Sequence, residues 1–208
     1  MTHPQVNTVA AFSRRTLDTP DPHSRLQPII DTNTSAWTSS FASVKQPQIF
    51  LSGLGTTRGQ AGSLANQRKI DYDLNLDLAK AAKAAGVKIY VLISSGGANK
   101  DAYFPYTKMK GELEAAVSEL GFEKTVILRP GLIMGTREDS RPPEYAFRLL
   151  ANGLGKISGG LLKDFWAQDA DIIGRAAVNA AINCLDGTAP EGKVWTLGIG
   201  EINQLGKM

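Results

Sequence analysis

The sequence predicts an α/β protein built on a Rossmann-like, doubly wound parallel sheet. Short apolar runs bounded by turn residues alternate along the chain with longer segments of helical periodicity. The central runs, such as IYVLI at 89–93, are apolar at successive positions, which is typical of strands covered on both faces. Each of three helical segments is followed within two residues by a glycine, a common helix stop. Together these features indicate parallel strands joined by crossover helices.

Six segments have the length and apolar character of strands. They are 7–13 (NTVAAFS), 27–31 (QPIID), 48–53 (QIFLSG), 88–95 (KIYVLISS), 124–130 (KTVILRP) and 193–198 (KVWTLG). The chain of 208 residues has the size of one ordinary domain, so we expect a single domain that spans residues 1–208.

Three segments have the apolar spacing of helices. Residues 66–85 and 170–185 carry apolar stripes, and residues 105–120 open with Pro105, which suits a first helical turn. The stripes are Ile70, Leu74, Leu78 and Ala82; Met109, Leu113, Val117 and Leu120; and Ile172, Ile173, Ala176, Ala177, Ala180, Ala181 and Cys184. A weaker pattern predicts a fourth helix at 143–151.

The composition argues against several classes of protein. The formal net charge is only +3 and the basic residues are spread along the chain, so we expect no nucleic-acid surface. The single cysteine, Cys184, excludes an internal disulfide, and His3 and His23 both lie in the polar N-terminal stretch, so we expect no metal site. No run approaches the roughly 18 consecutive apolar residues that span a bilayer.

The N-terminal residues have two interpretations. The first 17 residues include Arg14 and Arg15 and no acidic residue, which faintly resembles a mitochondrial presequence, or transit peptide. The same residues fit a strand followed by a turn, which is the favoured interpretation.

Glycine is distributed unevenly. All 21 glycines lie between Gly53 and Gly206, and residues 1–52 contain none. A dinucleotide fold needs a glycine-rich turn after its first strand, so that the backbone approaches the pyrophosphate at a helix N-terminus. We therefore expect the first strand and its glycine-rich loop to be absent from this chain, and NTVAAFS to correspond to the second strand of such a sheet.

The candidate catalytic residues are Ser95, Tyr106 and Lys110, with Ser94 as the alternative serine. Tyr106 and Lys110 are four residues apart on a predicted helix, so their side chains project from one face. An ammonium there is expected to lower the phenol pKa from about 10, and a serine at the end of the preceding strand can bind a substrate oxygen. This set indicates carbonyl reduction or alcohol oxidation, whereas a half-buried tyrosine beside a solvated lysine is the structural alternative.

The candidate cofactor residues follow three predicted strands, and Lys110 is counted with them. They are Ser13, Arg14 and Arg15; Gly55, Thr56 and Thr57 in GLGTTRG; and Pro130 and Gly131. Arginines at the end of the second strand favour a 2'-phosphate, which predicts NADP rather than NAD. Ordinary solvated turns are the alternative interpretation of all three segments.

Six stretches together resemble an atypical short-chain dehydrogenase/reductase, more closely the fungal mitochondrial family called "found in mitochondrial proteome protein 52", which is related to the HIV Tat-interacting protein group. They are GLGTTRGQAGS, QRKIDYDLNLDLAKAAKAAGVK, YVLISSGGAN, YTKMKGELE, FEKTVILRPGLIMGTREDSRP and QDADIIGRAAVNAA. The resemblance implies a Rossmann-type sheet, NADP-type binding and a Ser-Tyr-Lys set at Ser95 (or Ser94), Tyr106 and Lys110. It also implies peripheral association with the mitochondrial outer membrane.

The sequence departs from the family at its N-terminus, where family members carry a strand and a G-x-x-G-x-x-G turn. In the usual strand order 3-2-1-4-5-6 the missing strand is central, so its two neighbours must pair directly or keep open edges.

Two functions remain open. The leading hypothesis is an NADP-dependent oxidoreductase acting on an unidentified small carbonyl or alcohol substrate. The alternative is a non-catalytic protein that uses the reductase scaffold to bind a protein or membrane partner. Arg137 and Arg141 are candidates for binding an anionic substrate, although a solvated charged loop is the favoured interpretation.

Overall fold

The computed structural model describes residues 3–17, 25–134 and 167–208. In chain order its strands are β1 (Val9–Ser13), β2 (Leu26–Ile30), β3 (Ile49–Ser52), β4 (Ile89–Ile93), β5 (Lys124–Leu128), β6 (Leu132–Met134), β7 (Ala167–Asp169) and β8 (Val194–Leu197). The predicted helix at 143–151, together with His23, Arg137 and Arg141, lies outside the described residues.

The main sheet has four parallel strands in the order β3-β4-β5-β8. Strands β1 and β2 pair in parallel as a separate two-stranded sheet, and β6 and β7 form another. All six predicted strands are present, which confirms the α/β class with parallel pairing. Among the described residues the strands form three sheets, which agrees with the alternative in which the edges do not pair directly. Strands β6 and β7 were not predicted, because three residues are too few to show a periodicity.

The helices are α1 (Trp37–Ser40), α2 (Arg58–Ala61), α3, α4 (Pro105–Ser118), α5 (Ala170–Leu185) and α6 (Ile199–Lys207). Helix α3 has three consecutive parts: an α-helical start at Leu64–Arg68, a π-helical segment at Lys69–Leu74 and an α-helical end at Asn75–Ala84. The three predicted helices are confirmed as α3, α4 and α5. The glycines that follow them, Gly86, Gly121 and Gly187, have φ of 87°, 72° and 72°, so each ends its helix in the left-handed region.

Helices cover the main sheet on both faces, as the apolar central runs predict. On one face Tyr90 and Leu92 pack with α3 and α4. On the other face Ile89 and Val91 pack with α5 and α6. Alternate residues of β4 therefore contribute to two separate hydrophobic cores. Because β4 and β5 are parallel neighbours, their carboxyl ends lie at the same edge of the sheet.

Aromatic side chains bridge the space between the N-terminal sheet and the main sheet. Phe12 on β1 contacts Phe41 with ring centroids 5.0 Å apart, and Phe41 contacts Phe50 on β3 at 5.1 Å. The indole of Trp37 donates a hydrogen bond to the Asp31 carbonyl at 3.0 Å. Among the described residues β1 and β3 belong to different sheets, and these aromatic side chains connect the two.

Candidate active site

A cavity of about 460 Å³ opens at the carboxyl edge of the main sheet. Its lining includes Ser94, Ser95 and Gly96 after β4, Tyr106 on α4, and Pro130 and Gly131 after β5. Leu132 and Ile133 supply an apolar wall. The structure therefore brings together four residues predicted from the sequence, Ser95, Tyr106, Pro130 and Gly131, in a cavity within the usual size range for small-molecule sites.

The two neighbouring serines have different environments. Ser94 is 5% exposed, and its hydroxyl donates a 2.5 Å hydrogen bond to Oε1 of Glu114. Ser95 is only partly buried, lines the cavity together with Tyr106, and its hydroxyl donates to the Gly96 carbonyl at 3.3 Å. Because the Ser94 hydroxyl is engaged inside the protein, Ser95 is the serine that can meet a ligand in the cavity.

Tyr106 and Lys110 lie one turn apart on α4, as predicted. The Tyr106 side chain is at the cavity with 41% of the residue exposed, whereas Lys110 is 3% exposed. The Lys110 Nζ donates to the Ile93 carbonyl at 3.3 Å. Lys110 therefore lies beneath the end of β4, and Tyr106 faces the cavity.

The electrostatics of this pair differ from expectation. Partial burial raises the pKa of Tyr106 above its usual value, the nearby Ser95 hydroxyl lowers it, and the charge of Asp71 raises it again. Burial lowers the pKa of Lys110, while the carboxylates of Asp71 and Glu114 act in the opposite direction. The expectation that Lys110 lowers the Tyr106 pKa is therefore wrong for this structure, in which Tyr106 is a neutral phenol at neutral pH.

The predicted cofactor loop that contains Gly55, Thr56 and Thr57 is fixed to helix α3. The Thr56 N–H donates to Oδ1 of Asp71 at 2.6 Å. The Gln67 side-chain amide donates to the Thr56 carbonyl at 3.2 Å. The Thr57 hydroxyl accepts from the Gln60 N–H at 3.4 Å and caps α2. This loop ends the strand next to β4, so it shares the sheet edge with the cavity.

Three buried polar residues on α3 were missed by the sequence reasoning. Gln67, Asp71 and Asn75 are 4%, 1% and 0% exposed. The Asn75 amide donates to the carbonyls of Ile70 and Asp71 in the π-helical segment and to Leu54 of the loop, each at 3.2 Å. Their four-residue spacing was the available signal. Short π-helical segments are frequent at functional sites.

The loop after β5 is held by another residue that the sequence did not reveal. Gln168 is 2% exposed, and its Oε1 accepts from the Gly131 N–H at 3.1 Å. Its Nε2 donates to the Ile199 carbonyl at 3.1 Å and to the Asn203 side chain at 2.8 Å. A single glutamine in a short polar segment carries no periodic signal, so only the fold identifies it.

Ser13, Arg14 and Arg15 lie at the carboxyl end of β1, as predicted. The Ser13 hydroxyl donates to the Arg15 carbonyl at 2.7 Å and accepts from the Arg15 N–H at 3.2 Å, which closes the turn. The turn belongs to the separate N-terminal sheet, and within the described part of the chain its residues do not line the cavity.

Among residues 3–17, 25–134 and 167–208, no group of three His, Cys, Asp or Glu side chains is placed to hold a metal ion. None of the helices in these ranges is long and apolar enough to cross a membrane.

Structural comparison supports the fold. The chain is similar to the enzyme MoeE5 solved with UDP-glucose and NAD, with a TM-score of 0.63 and 17% identity over 94% of this chain and 71% of that one. It is equally similar to UDP-N-acetylglucosamine 4-epimerase from Methanobrevibacter ruminantium M1, with a TM-score of 0.63 and 17% identity over 96% and 72%. These likenesses concern the Rossmann fold alone.

Sequence comparison defines the family. Residues 23–152 match the HIM1 family. The chain is 52% identical to the mitochondrial protein fmp52 of Emericella nidulans over 99% of this chain and 90% of the relative. It is 45% identical to the mitochondrial protein fmp-52 of Neurospora crassa over 99% and 85%. The chain therefore belongs to the HIM1 family and to the fungal mitochondrial Fmp52 proteins.

Proposed function

We propose that this protein is an NADP-dependent oxidoreductase of the atypical short-chain dehydrogenase/reductase type, acting on a small carbonyl or alcohol. The observation that carries the proposal is the meeting of Ser95 and Tyr106 at a cavity on the carboxyl edge of the sheet, with Lys110 buried one turn behind Tyr106. This is the edge where open α/β sheets bind their ligands.

The side chains have distinct roles in the proposed reduction. Tyr106 holds its proton at neutral pH and donates it from the phenol oxygen to the substrate oxygen. The Ser95 hydroxyl orients that same oxygen. Lys110 supplies positive charge behind the pair, and the apolar wall of Leu132 and Ile133 limits the access of water. Oxidation of an alcohol reverses each of these steps.

The residues present fit the nicotinamide end of a dinucleotide. Gly96 and Gly131 have no side chains to narrow the cavity, and Pro130 and Gly131 would lie against the nicotinamide. Lys110, which is buried beneath the end of β4, would support the ribose from behind the cavity wall. When bound, NADPH would supply the hydride. Gly55, Thr56 and Thr57 would line its path, and Ser13, Arg14 and Arg15 would bind the 2'-phosphate. The structural relatives MoeE5 and WbmH were solved with NAD, so the choice of NADP depends on the arginines.

Cofactor binding is tested by calorimetric titration of the folded protein with NADPH and with NADH. We expect saturable binding with a preference for NADPH, and the double substitution Arg14→Ala and Arg15→Ala should reduce that preference. Equal affinities for the two cofactors would contradict the NADP assignment. Absence of saturable binding by a folded preparation would contradict the enzymatic proposal for this polypeptide.

A non-catalytic binding function is the second candidate, because residues 1–52 contain no glycine that could form a pyrophosphate-binding turn. The substitution Tyr106→Phe separates the two candidates. It removes the proton donor and keeps the ring, so an oxidoreductase loses function while a scaffold for a protein partner keeps it. A normal cellular phenotype at normal protein level would favour the scaffold.

The proposal includes peripheral association with the mitochondrial outer membrane. The relatives are named as mitochondrial proteins. Tyr103 and Phe104, next to Tyr106, are 93% and 69% exposed, and their rings pack edge to face at 5.7 Å. Exposed aromatic residues are suited to the boundary between headgroups and acyl chains.

Membrane association is tested by flotation with vesicles of phosphatidylcholine and phosphatidylinositol. We expect the protein to float and the Tyr103→Ser, Phe104→Ser double variant to remain in the dense fraction. Met208→Ser is the matched control, because Met208 is 85% exposed and is the C-terminal residue, far along the chain from the aromatic pair. Equal flotation of the double variant would contradict the role of the aromatic pair.

A further inference from the structure

Asp71 is a buried carboxylate that the proposed mechanism does not use. It is 1% exposed and lies in the π-helical segment of α3. Its Oδ1 accepts from the Thr56 N–H at 2.6 Å, and its Oδ2 accepts from the Gln67 amide at 3.3 Å. The carboxylate therefore contacts the predicted cofactor loop directly.

Asp71 also lies within electrostatic reach of both α4 residues of the proposed site. Its charge raises the pKa values of Tyr106 and Lys110, and the charge of Lys110 lowers that of Asp71. The π-helical segment packs against α4, which explains the proximity. Asp71 thus connects three parts of the site: the cofactor loop, the phenol and the ammonium.

The distribution of buried charge gives Asp71 a specific partner. Lys110 is buried, and an ammonium removed from water needs a compensating negative charge. Two carboxylates interact with it, Asp71 and Glu114. Glu114 is already bound by the guanidinium of Arg129 and by Ser94. The remaining carboxylate is Asp71, which among the described residues is not bound by an arginine and acts on Lys110 through its charge rather than through a direct salt bridge.

We propose that Asp71 is a positioning residue that supplies the counter-charge of Lys110 and fixes the Gly53–Thr57 loop through Thr56. This role of Asp71 rests on the proposed function in one respect, namely that Tyr106 and Lys110 belong to an active site. Burial and the charge of Asp71 both keep the pKa of Tyr106 above its usual value, so Tyr106 remains a proton donor.

The test is a pH titration of Tyr106 in the protein without cofactor, in which NMR detects tyrosine labelled with ¹³C at Cζ. Tyr106→Phe assigns the resonance. Asp71→Asn removes the charge but keeps an oxygen to accept from Thr56. We expect Tyr106 to titrate at a lower pKa in Asp71→Asn than in the wild type, since Ser95 and Lys110 remain and the carboxylate is gone. An unchanged pKa in a folded Asp71→Asn variant would overturn the proposal.

The matched control is Asp73→Asn, because Asp73 is exposed on the same π-helical segment. This variant should leave the Tyr106 titration at the wild-type pKa; an equal shift would show a general charge effect and overturn the specific role of Asp71.

If Asp71→Asn does not fold, an NMR titration of the wild-type protein tests the proposal instead. The ¹³Cε resonance of Lys110 must then follow the acid titration of the Asp71 carboxyl, and an independent Lys110 resonance would overturn the pairing. Both titrations are made without cofactor, so failure of NADPH binding does not affect them.

Discussion

Arg129 and Glu114 form a two-point ion pair behind the candidate active site. Nε of Arg129 donates to Oε1 of Glu114 at 3.1 Å, and Nη2 donates to Oε2 at 2.5 Å. The Glu114 side chain is 7% exposed and that of Arg129 is 39% exposed. The pair joins the end of β5 to the middle of α4, and through Ser94 it also holds the end of β4.

Arg129→Ala is expected to lower the free energy of unfolding by about 2–3 kcal/mol, because it leaves a buried carboxylate without its partner. Chemical denaturation monitored by circular dichroism measures the change. Lys80→Ala is the control: Lys80 pairs with Asp77 at 3.5 Å on an exposed helix face, where such pairs contribute at most about 1 kcal/mol. Equal losses of unfolding free energy in the two variants would show that the Arg129–Glu114 pair stabilises the fold no more than an exposed pair does.

Gly111 permits the close packing of α4 against the loop after β4. A Cβ at this position would lie 2.2 Å from the backbone carbon of Asn99 and the backbone nitrogen of Lys100. Gly111→Ala must displace one of these backbones, at a cost of about 1–3 kcal/mol. Since Gly111 follows Lys110, we also expect weaker NADPH binding, measured by calorimetry.

Gly174→Ala is the control for Gly111→Ala. Gly174 lies in α5, is exposed, and has no atom within 4 Å of its added Cβ. The same substitution there should raise the free energy of unfolding by up to about 1 kcal/mol, because alanine is the better helix former. A stable Gly111→Ala variant would mean that the loop adapts without cost.

Gln168→Leu removes the side chain that holds Gly131. The substitution conserves volume approximately but leaves the Gly131 N–H and the Ile199 carbonyl without their partner, so we expect a loss of about 2–3 kcal/mol. Gln27→Leu on the exposed face of β2 should change stability by no more than about 0.5 kcal/mol. Denaturation curves of both variants at one pH provide the comparison, and a neutral Gln168→Leu would indicate that Gly131 finds another acceptor.

The parts of the fold that were predicted have strong local signals. The run IYVLI is typical of a strand covered on both faces, and Gly86 and Gly121 mark helix ends because they adopt positive φ. Pairings between distant segments have no such signal. Strands β6 and β7 are joined across a long stretch of chain, and the aromatic bridge from Phe12 to Phe50 depends on Phe41 being brought between them.

The candidate site was predicted where chemistry and position coincide in sequence, as for Tyr106 and Lys110. The part of the site on α3 was not predicted, because hydrophobic periodicity identifies only the apolar face of a helix. The predicted stripe includes Ile70 and Leu74, which are only partly buried, whereas Gln67, Asp71 and Asn75 are buried beside the loop. Polar side chains can occupy a buried face when the backbone groups of a π-helical segment and a loop satisfy them, and the sequence alone does not show those partners.

Asp71 should also give the folded protein a distinctive dependence on acid. Burial raises the pKa of Asp71 above 3.8 in the folded state, despite the opposing contributions of Thr56, Lys110 and Gln67. A raised folded pKa means that the folded state binds this proton more tightly than the unfolded state does. The stabilisation from protonated Asp71 is therefore complete below the unfolded pKa of 3.8 and is lost as the pH rises through the folded pKa.

Asp71→Asn is neutral at every pH and lacks this contribution. The difference in unfolding free energy, wild type minus Asp71→Asn, should thus increase as the pH is lowered through the folded pKa, whereas the difference for the exposed control Asp73→Asn should not follow this course. Urea denaturation of the three proteins across the acid range measures both differences, and a pH-independent difference for Asp71→Asn would show that burial does not disfavour the Asp71 charge.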